Sequence, residues 1–200
     1  MAAFIVFEGG DGAGKSTQAV ALFQRLRRRG IPARRVREPG GTPLGESLRR
    51  ILKSHRDLTP ATELFLFSAA RAHLVRQAIR PALSGGVIVL CDRFTASTVA
   101  YQGYGRGLDL ELVRRLNLAA TDGLEPDLTI LLDLPVEAAL ARRAKASDGF
   151  EAAPLEFHRR VRQGYLQQAA QAPGRWLVLD GAQPKAALAR QVWEKVQPLL

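Results

Sequence analysis

The chain has 200 residues, 46% of them hydrophobic and 24% charged, which excludes disordered, collagen-like and low-complexity classes. Its 29 Lys and Arg outnumber its 19 Asp and Glu, and the resulting formal charge of +10 points to polyanionic partners: nucleic acid, phosphorylated metabolites or acidic lipid. A single cysteine, Cys91, excludes an internal disulfide and a multi-cysteine zinc site. With no signal-peptide pattern and no apolar stretch near the ~20 residues that span a bilayer, the expectation is a cytoplasmic protein with no membrane partner.

Strands and helices alternate along the chain. Residues 4–8 form a short apolar run that ends in glycines, the pattern of a buried strand. A helix is expected over 15–29 with Gly30 as its cap, then a weaker strand over 33–37. Thr42-Pro43 opens a helix toward Ser54, and Thr59-Pro60 opens a longer one toward Arg80, each with a threonine cap and proline in the first turn. Gly85-Gly86 precedes a strand over 87–91. A helix over 109–121, a strand over 128–134 and a helix over 136–145 follow. Last come a helix over 155–171, a strand over 176–179 and a helix over 185–196. Five β-runs separated by helices imply a doubly wound α/β fold, a parallel five-stranded sheet with helices on both faces. No linker or repeat divides the chain, so a single domain over 1–200 is expected, with 145–153 as its mobile loop.

The strongest motif is Gly9-Gly10-Asp11-Gly12-Ala13-Gly14-Lys15-Ser16, with Thr17 behind it. It fits G-x-x-x-x-G-K-[ST] between a strand and a helix, the P-loop context. Glycines let the backbone wrap phosphate oxygens with inward N–H groups, and the new helix adds the positive end of its dipole. Lys15 reaches the outer phosphates and the Ser16 hydroxyl is placed for Mg²⁺. Nucleoside triphosphate binding follows. No N-K-x-D guanine motif occurs, and the length leaves little room for a nucleic-acid channel, so a small-molecule kinase fits better than a GTPase or a DNA-dependent ATPase.

Beyond the loop come REPGGT at 37–42, which contains Glu38 and Pro39, and Phe67-Ser68-Ala69-Ala70-Arg71. Asp92-Arg93-Phe94 runs on through Ser97-Thr98 to Tyr101-Gln102-Gly103, and Gly105-Arg106-Gly107 follows. In this order the series resembles bacterial thymidylate kinase over nearly the whole chain. Phe67 and Arg71 share a helix face at i, i+4, where the ring can stack on a base or simply pack in the core. An arginine in apolar company needs a partner, and its donors suit the O4 acceptor of thymine. Arg93, just past a strand's carboxyl end, is the candidate clamp for the acceptor phosphate. Asp92 is a candidate to hold Mg²⁺ through water, with a salt bridge or cap as the alternative. Asp133 also ends an apolar strand and is read as structural.

The resemblance implies a nucleoside monophosphate kinase domain that converts dTMP and ATP into dTDP and ADP with Mg²⁺ as cofactor, acting as a homodimer and without nucleic-acid partners. It puts Tyr101 beneath the sugar, Ser97, Thr98 and Gln102 with the substrate, Thr98 and Gln102 being near the base edge, and Asp11 near the acceptor's sugar and phosphate. It also implies a lid over about 142–153 that supplies a catalytic arginine, because the phosphate loop has none. Where many relatives have arginine this chain has Gly149, which leaves Arg142 or Arg143, with Lys145 as a third choice. The expected catalytic set is thus Asp11, Lys15, Asp92, Arg93, Arg142 and Arg143. The loop 180–184 resembles the adenine-side loop.

Overall fold

The computed structural model describes residues 2–55, 57–142 and 153–200. Strands β1 (Phe4–Glu8), β2 (Ala33–Arg37), β3 (Ile88–Asp92), β4 (Leu128–Asp133) and β5 (Trp176–Asp180) form one parallel sheet in the order β2-β3-β1-β4-β5. Alternation in β1 sorts its side chains: Ile5 and Phe7 face a core built with α1 (Lys15–Arg28) and α9 (Lys185–Val196), whereas Phe4 and Val6 face the other side. There the cover is α3 (Pro60–Leu74), a π-helical stretch Val75–Ile79 and α4 (Arg80–Ser84). Both faces are dry, so the central strands are nearly continuous in hydrophobicity.

The caps are largely those the sequence announces. Thr42 Oγ1 accepts from Gly45 N at 3.0 Å at the start of α2 (Pro43–Ser54), and Thr59 does the same for α3 at 3.2 Å. Asp109 caps α6 (Leu110–Thr121) instead of belonging to it. Two helices differ from expectation. The long helix from Pro60 passes through the π-helical stretch, with Pro81 in the next turn; proline has no N–H to continue the i→i−4 ladder. The helix expected over 136–145 is α7 (Val136–Ala141), with Arg142 at its cap; Lys145 lies outside the described residues.

A third cluster seats α8 (Leu155–Gln171) against β4, the short α5 (Thr95–Thr98) and the π-helical Val99–Gly105. Glycines set the close approach. A Cβ at Gly164 would lie 2.6 Å from Tyr104 Cδ2, and one at Gly105 would lie 2.6 Å from Phe157 Cε2. Among the described residues no helix is long and apolar enough to cross a membrane.

Gly164→Ala is therefore expected to cost about 1–3 kcal/mol of overpacking, read as a lowered urea midpoint at unchanged slope. Wild-type stability would show that the α8 contact yields without strain.

Candidate active site

Every strand ends on a charged residue at the carboxyl edge: Glu8, Arg37, Asp92, Asp133 and Asp180. That edge is where open parallel sheets bind ligands. β1 leads there into the glycine loop, with Gly9, Gly12 and Gly14 at φ of 137°, 84° and 98°. A Cβ at Gly9 would sit 2.5 Å from the Leu132 carbonyl oxygen, so only glycine fits the first turn. Lys15 Nζ donates to Gly10 O at 2.7 Å from a buried position. Burial, helped by the charge of Arg93, lowers its pKa to about 8.

The Ser16 hydroxyl donates to Asp92 Oδ2. This pairs two hard oxygen donors beside the loop. Among the described residues no group of three or more His, Cys, Asp or Glu could hold a metal. A divalent cation held here would find oxygen ligands of the kind magnesium takes.

Asp11, Glu38, Pro39, Phe67, Arg71, Arg93, Ser97, Thr98, Tyr101 and Gln102 all line one open cleft next to the loop. Arg93 stands at its phosphate-loop end on a left-handed backbone, φ 72°, unusual for a residue with a Cβ. Its Nη1 donates to Gly9 O at 3.1 Å and to Ser97 Oγ and Tyr165 OH at 3.2 Å each. Its Nη2 donates to the Asp11 carboxylate and, at 3.3 Å, to Tyr101 OH. Tyr101 in turn donates to Asp11 Oδ2 at 2.8 Å. Burial works against the charge on Arg93, but the pull of Tyr101 and Asp11 outweighs it and the pKa is raised.

Arg71 is only 1% exposed. Its Nε donates to Glu38 Oε2 at 2.8 Å and its Nη1 to Asn117 Oδ1 at 2.5 Å. Its Nη2 donates to Thr98 Oγ1 at 2.8 Å and to Phe94 O at 3.1 Å. Among the described residues these four bonds leave the second N–H of Nη1 for a further acceptor, and the residue lines the cleft. Burial raises the Glu38 carboxyl despite the pull of Arg71. Gln102 is buried and donates to Glu63 Oε2 at 3.3 Å. Phe67 is half-buried on the cleft wall.

The structure separates the remaining sequence candidates. Asp133 is gripped bidentately by Arg162 at 2.7 and 2.8 Å. Arg142 Nη1 donates to Gly181 O at 2.8 Å, in the loop after β5. Arg143, Lys145 and Gly149, and with them most of the lid expected over 142–153, lie outside the described residues. Cys91 is fully buried, and burial pushes its thiol well up. The sequence reading missed Glu8, Arg49, Asn117 and Tyr165. Arg49 lines the cleft and donates to Pro39 O at 3.1 Å; in the sequence it is one arginine of an ordinary helix. Asn117 and Tyr165 reach the site only across packed helices. Glu8, a carboxylate that closes an apolar strand, was the one visible clue.

A parallel sheet whose first strand runs through a glycine nest into a helix belongs to the P-loop nucleotide-binding class. Within that class, the sequence model of the family described as thymidylate kinase matches residues 7–192. A thymidylate kinase of Synechococcus sp. (strain JA-2-3B'a(2-13)) is 51% identical over 197 residues, 98% of this chain and 95% of the relative. One from Thermomicrobium roseum is 51% identical over 203 residues, covering 100% and 97% of the two chains. The crystal structure of thymidylate kinase from Ehrlichia chaffeensis superposes with a TM-score of 0.83 at 35% identity, covering 98% of each chain. The chain belongs to the thymidylate kinase family.

The dry Arg71–Glu38 pair gives a stability prediction. Arg71→Leu removes the partner of the buried Glu38 carboxyl and the donors to Asn117 and Thr98, and should cost about 3–5 kcal/mol, whereas the double replacement Glu38→Met/Arg71→Leu should recover part of the loss. Urea unfolding measures both, and a single variant as stable as the parent would show that the pair is not dry.

Proposed function

We propose that the protein transfers the γ-phosphoryl group of ATP directly, in line, to dTMP, giving ADP and dTDP. One observation carries this reading: the nine acceptor-side residues singled out in the sequence share one cleft with Asp11, and the phosphate loop meets that cleft at Arg93. In this reading Gly9, Gly10, Asp11, Gly12, Ala13, Gly14, Lys15, Ser16 and Thr17 form the ATP side. Arg93 clamps the acceptor phosphate with Asp11 and Tyr101 beside it. Phe67 stacks on the base, the remaining Nη1 hydrogen of Arg71 serves O4, and Thr98 and Gln102 line the base edge. Glu38 and Pro39 complete that wall.

An acceptor phosphate oxygen is anionic at neutral pH, so no general base is needed. It attacks the γ-phosphorus as the bond to the ADP oxygen breaks. The obstacle is mutual repulsion, met by Lys15, Arg93 and a lid arginine, Arg142 or Arg143. Ser16 and Asp92 would hold Mg²⁺, which neutralises charge between the outer phosphates when bound. A homodimer is part of the proposal, supported by Phe65, Leu112 and Leu118, exposed on the adjoining helices α3 and α6.

ADP release measured with dTMP, dUMP, dCMP, GMP and single-stranded DNA tests the function. Turnover that requires dTMP, with dTDP as product, is expected. The charge of +10 favours one competitor, a nucleic-acid-stimulated ATPase. ATP hydrolysis driven by DNA with no phosphorylated monophosphate would establish it instead.

Lys15 makes ATP binding pH-dependent. Its pKa is about 8 in the free protein, and phosphates favour the charged form and raise it. Binding therefore takes up a proton above that pKa and none well below it, so ATP affinity falls as pH rises through it. Calorimetry in buffers of different ionisation heat should show uptake approaching one proton near pH 9 and close to none near pH 6.5. Equal uptake at both would show that Lys15 is charged throughout.

A further inference from the structure

We infer that Glu8 is the positioning residue for Arg93, fixing from beneath both the backbone turn that carries this arginine and the direction of the hydroxyls that hold its guanidinium. The inference rests on the reading of Arg93 as the acceptor-phosphate clamp and extends it to a residue that touches no substrate.

Glu8 is fully buried and lies outside the lining of the acceptor cleft. Its Oε1 accepts from the backbone N–H groups of Phe94 and Ser97 at 2.8 and 3.2 Å. Its Oε2 accepts from Ser97 Oγ at 2.6 Å and Tyr165 OH at 3.0 Å. Every donor thus comes from Phe94 and α5, directly after Arg93, or from α8. The first pair of bonds holds the start of α5, directly after Arg93 with its left-handed backbone.

The second pair sets polarity. A hydroxyl has one proton, and a guanidinium can only donate. The Ser97 proton goes to Glu8, and the Tyr165 proton goes to Glu8 or to Ser97 Oγ, 2.7 Å away. Both protons therefore point away from Arg93, and the lone pairs face its Nη1 at 3.2 Å. A carboxylate that merely satisfied a strand end would need no such chain. Here two of its four bonds pass through a hydroxyl to the arginine.

Glu8→Gln separates the two roles. Its amide oxygen can still take both backbone N–H groups. Its NH₂ now donates to the hydroxyls and turns their protons toward Arg93. Equilibrium binding of dTMP and of ATP is measured for Glu8→Gln, Arg93→Ala and the double variant. We expect Glu8→Gln to weaken dTMP binding about tenfold with ATP binding changed less than about twofold, and the double variant to bind dTMP no worse than Arg93→Ala alone. Unchanged dTMP binding in Glu8→Gln, or a loss that adds to that of Arg93→Ala, overturns the inference and leaves the Arg93 reading intact. Unchanged dTMP binding in Arg93→Ala overturns that reading, and the inference with it. Should Glu8→Gln fail to fold, Tyr165→Phe, which removes one hydroxyl and keeps the ring, must show the same split between dTMP and ATP, and equal binding of both ligands to the parent overturns the inference.

Discussion

A guanidinium held almost dry at the carboxyl edge of a parallel sheet is the constraint from which the rest of this site follows. Arg93 is 17% exposed at its side chain and adopts a left-handed backbone. Burying a cation is costly unless it is paired and hydrogen-bonded. The surroundings meet that demand with the Asp11 carboxylate, the Gly9 carbonyl and the hydroxyls of Ser97, Tyr101 and Tyr165. These groups come from the phosphate loop, α5, the π-helical stretch Val99–Gly105 and α8. Placing one arginine therefore fixes how the loop and the helices beyond it sit on the sheet.

The same logic reorganises the meaning of the net charge. The overall excess of +10 suggests a polyanion binder, yet the sheet edge itself is mostly acidic: four of its five strands end in Asp or Glu. Each acid has an assigned partner: the Arg93 shell for Glu8, Ser16 for Asp92, Arg162 for Asp133 and the Ala182 N–H for Asp180. The site is thus a set of individually held cations in an acidic frame. This suits the proposed reaction, in which two phosphate chains must meet in one orientation. A diffuse basic surface attracts polyanions without aligning them.

The sheet, its order of elements and the phosphate loop were legible in the sequence because each has a local signature. Apolar runs end in glycines, threonine–proline pairs open helices, and the glycine pattern admits few backbone paths. Most of the residues that line the cleft beside the phosphate loop are ones the resemblance singles out, and the structure brings them together. What stayed hidden depends on distance. Asn117 meets Arg71 across 46 residues and Tyr165 meets Glu8 across 157, contacts made by helix packing that no short motif encodes. The π-helical stretches at Val75–Ile79 and Val99–Gly105 were missed because insertion of one residue into a helical turn leaves the hydrophobic pattern almost unchanged. The end of α7 at Ala141 was missed because the charged residues that follow are equally good helix formers.

The account stands or falls on where the acceptor's phosphate rests. A crystal structure with a bisubstrate compound, thymidine and adenosine joined through five phosphates, tests it directly. The account predicts the thymine between Phe67 and the remaining Nη1 hydrogen of Arg71, the phosphate nearest thymidine on Arg93, and the phosphates toward adenosine in the glycine loop. A thymidine end lying outside this cleft, or a thymidine-side phosphate that makes no contact with Arg93, would contradict it.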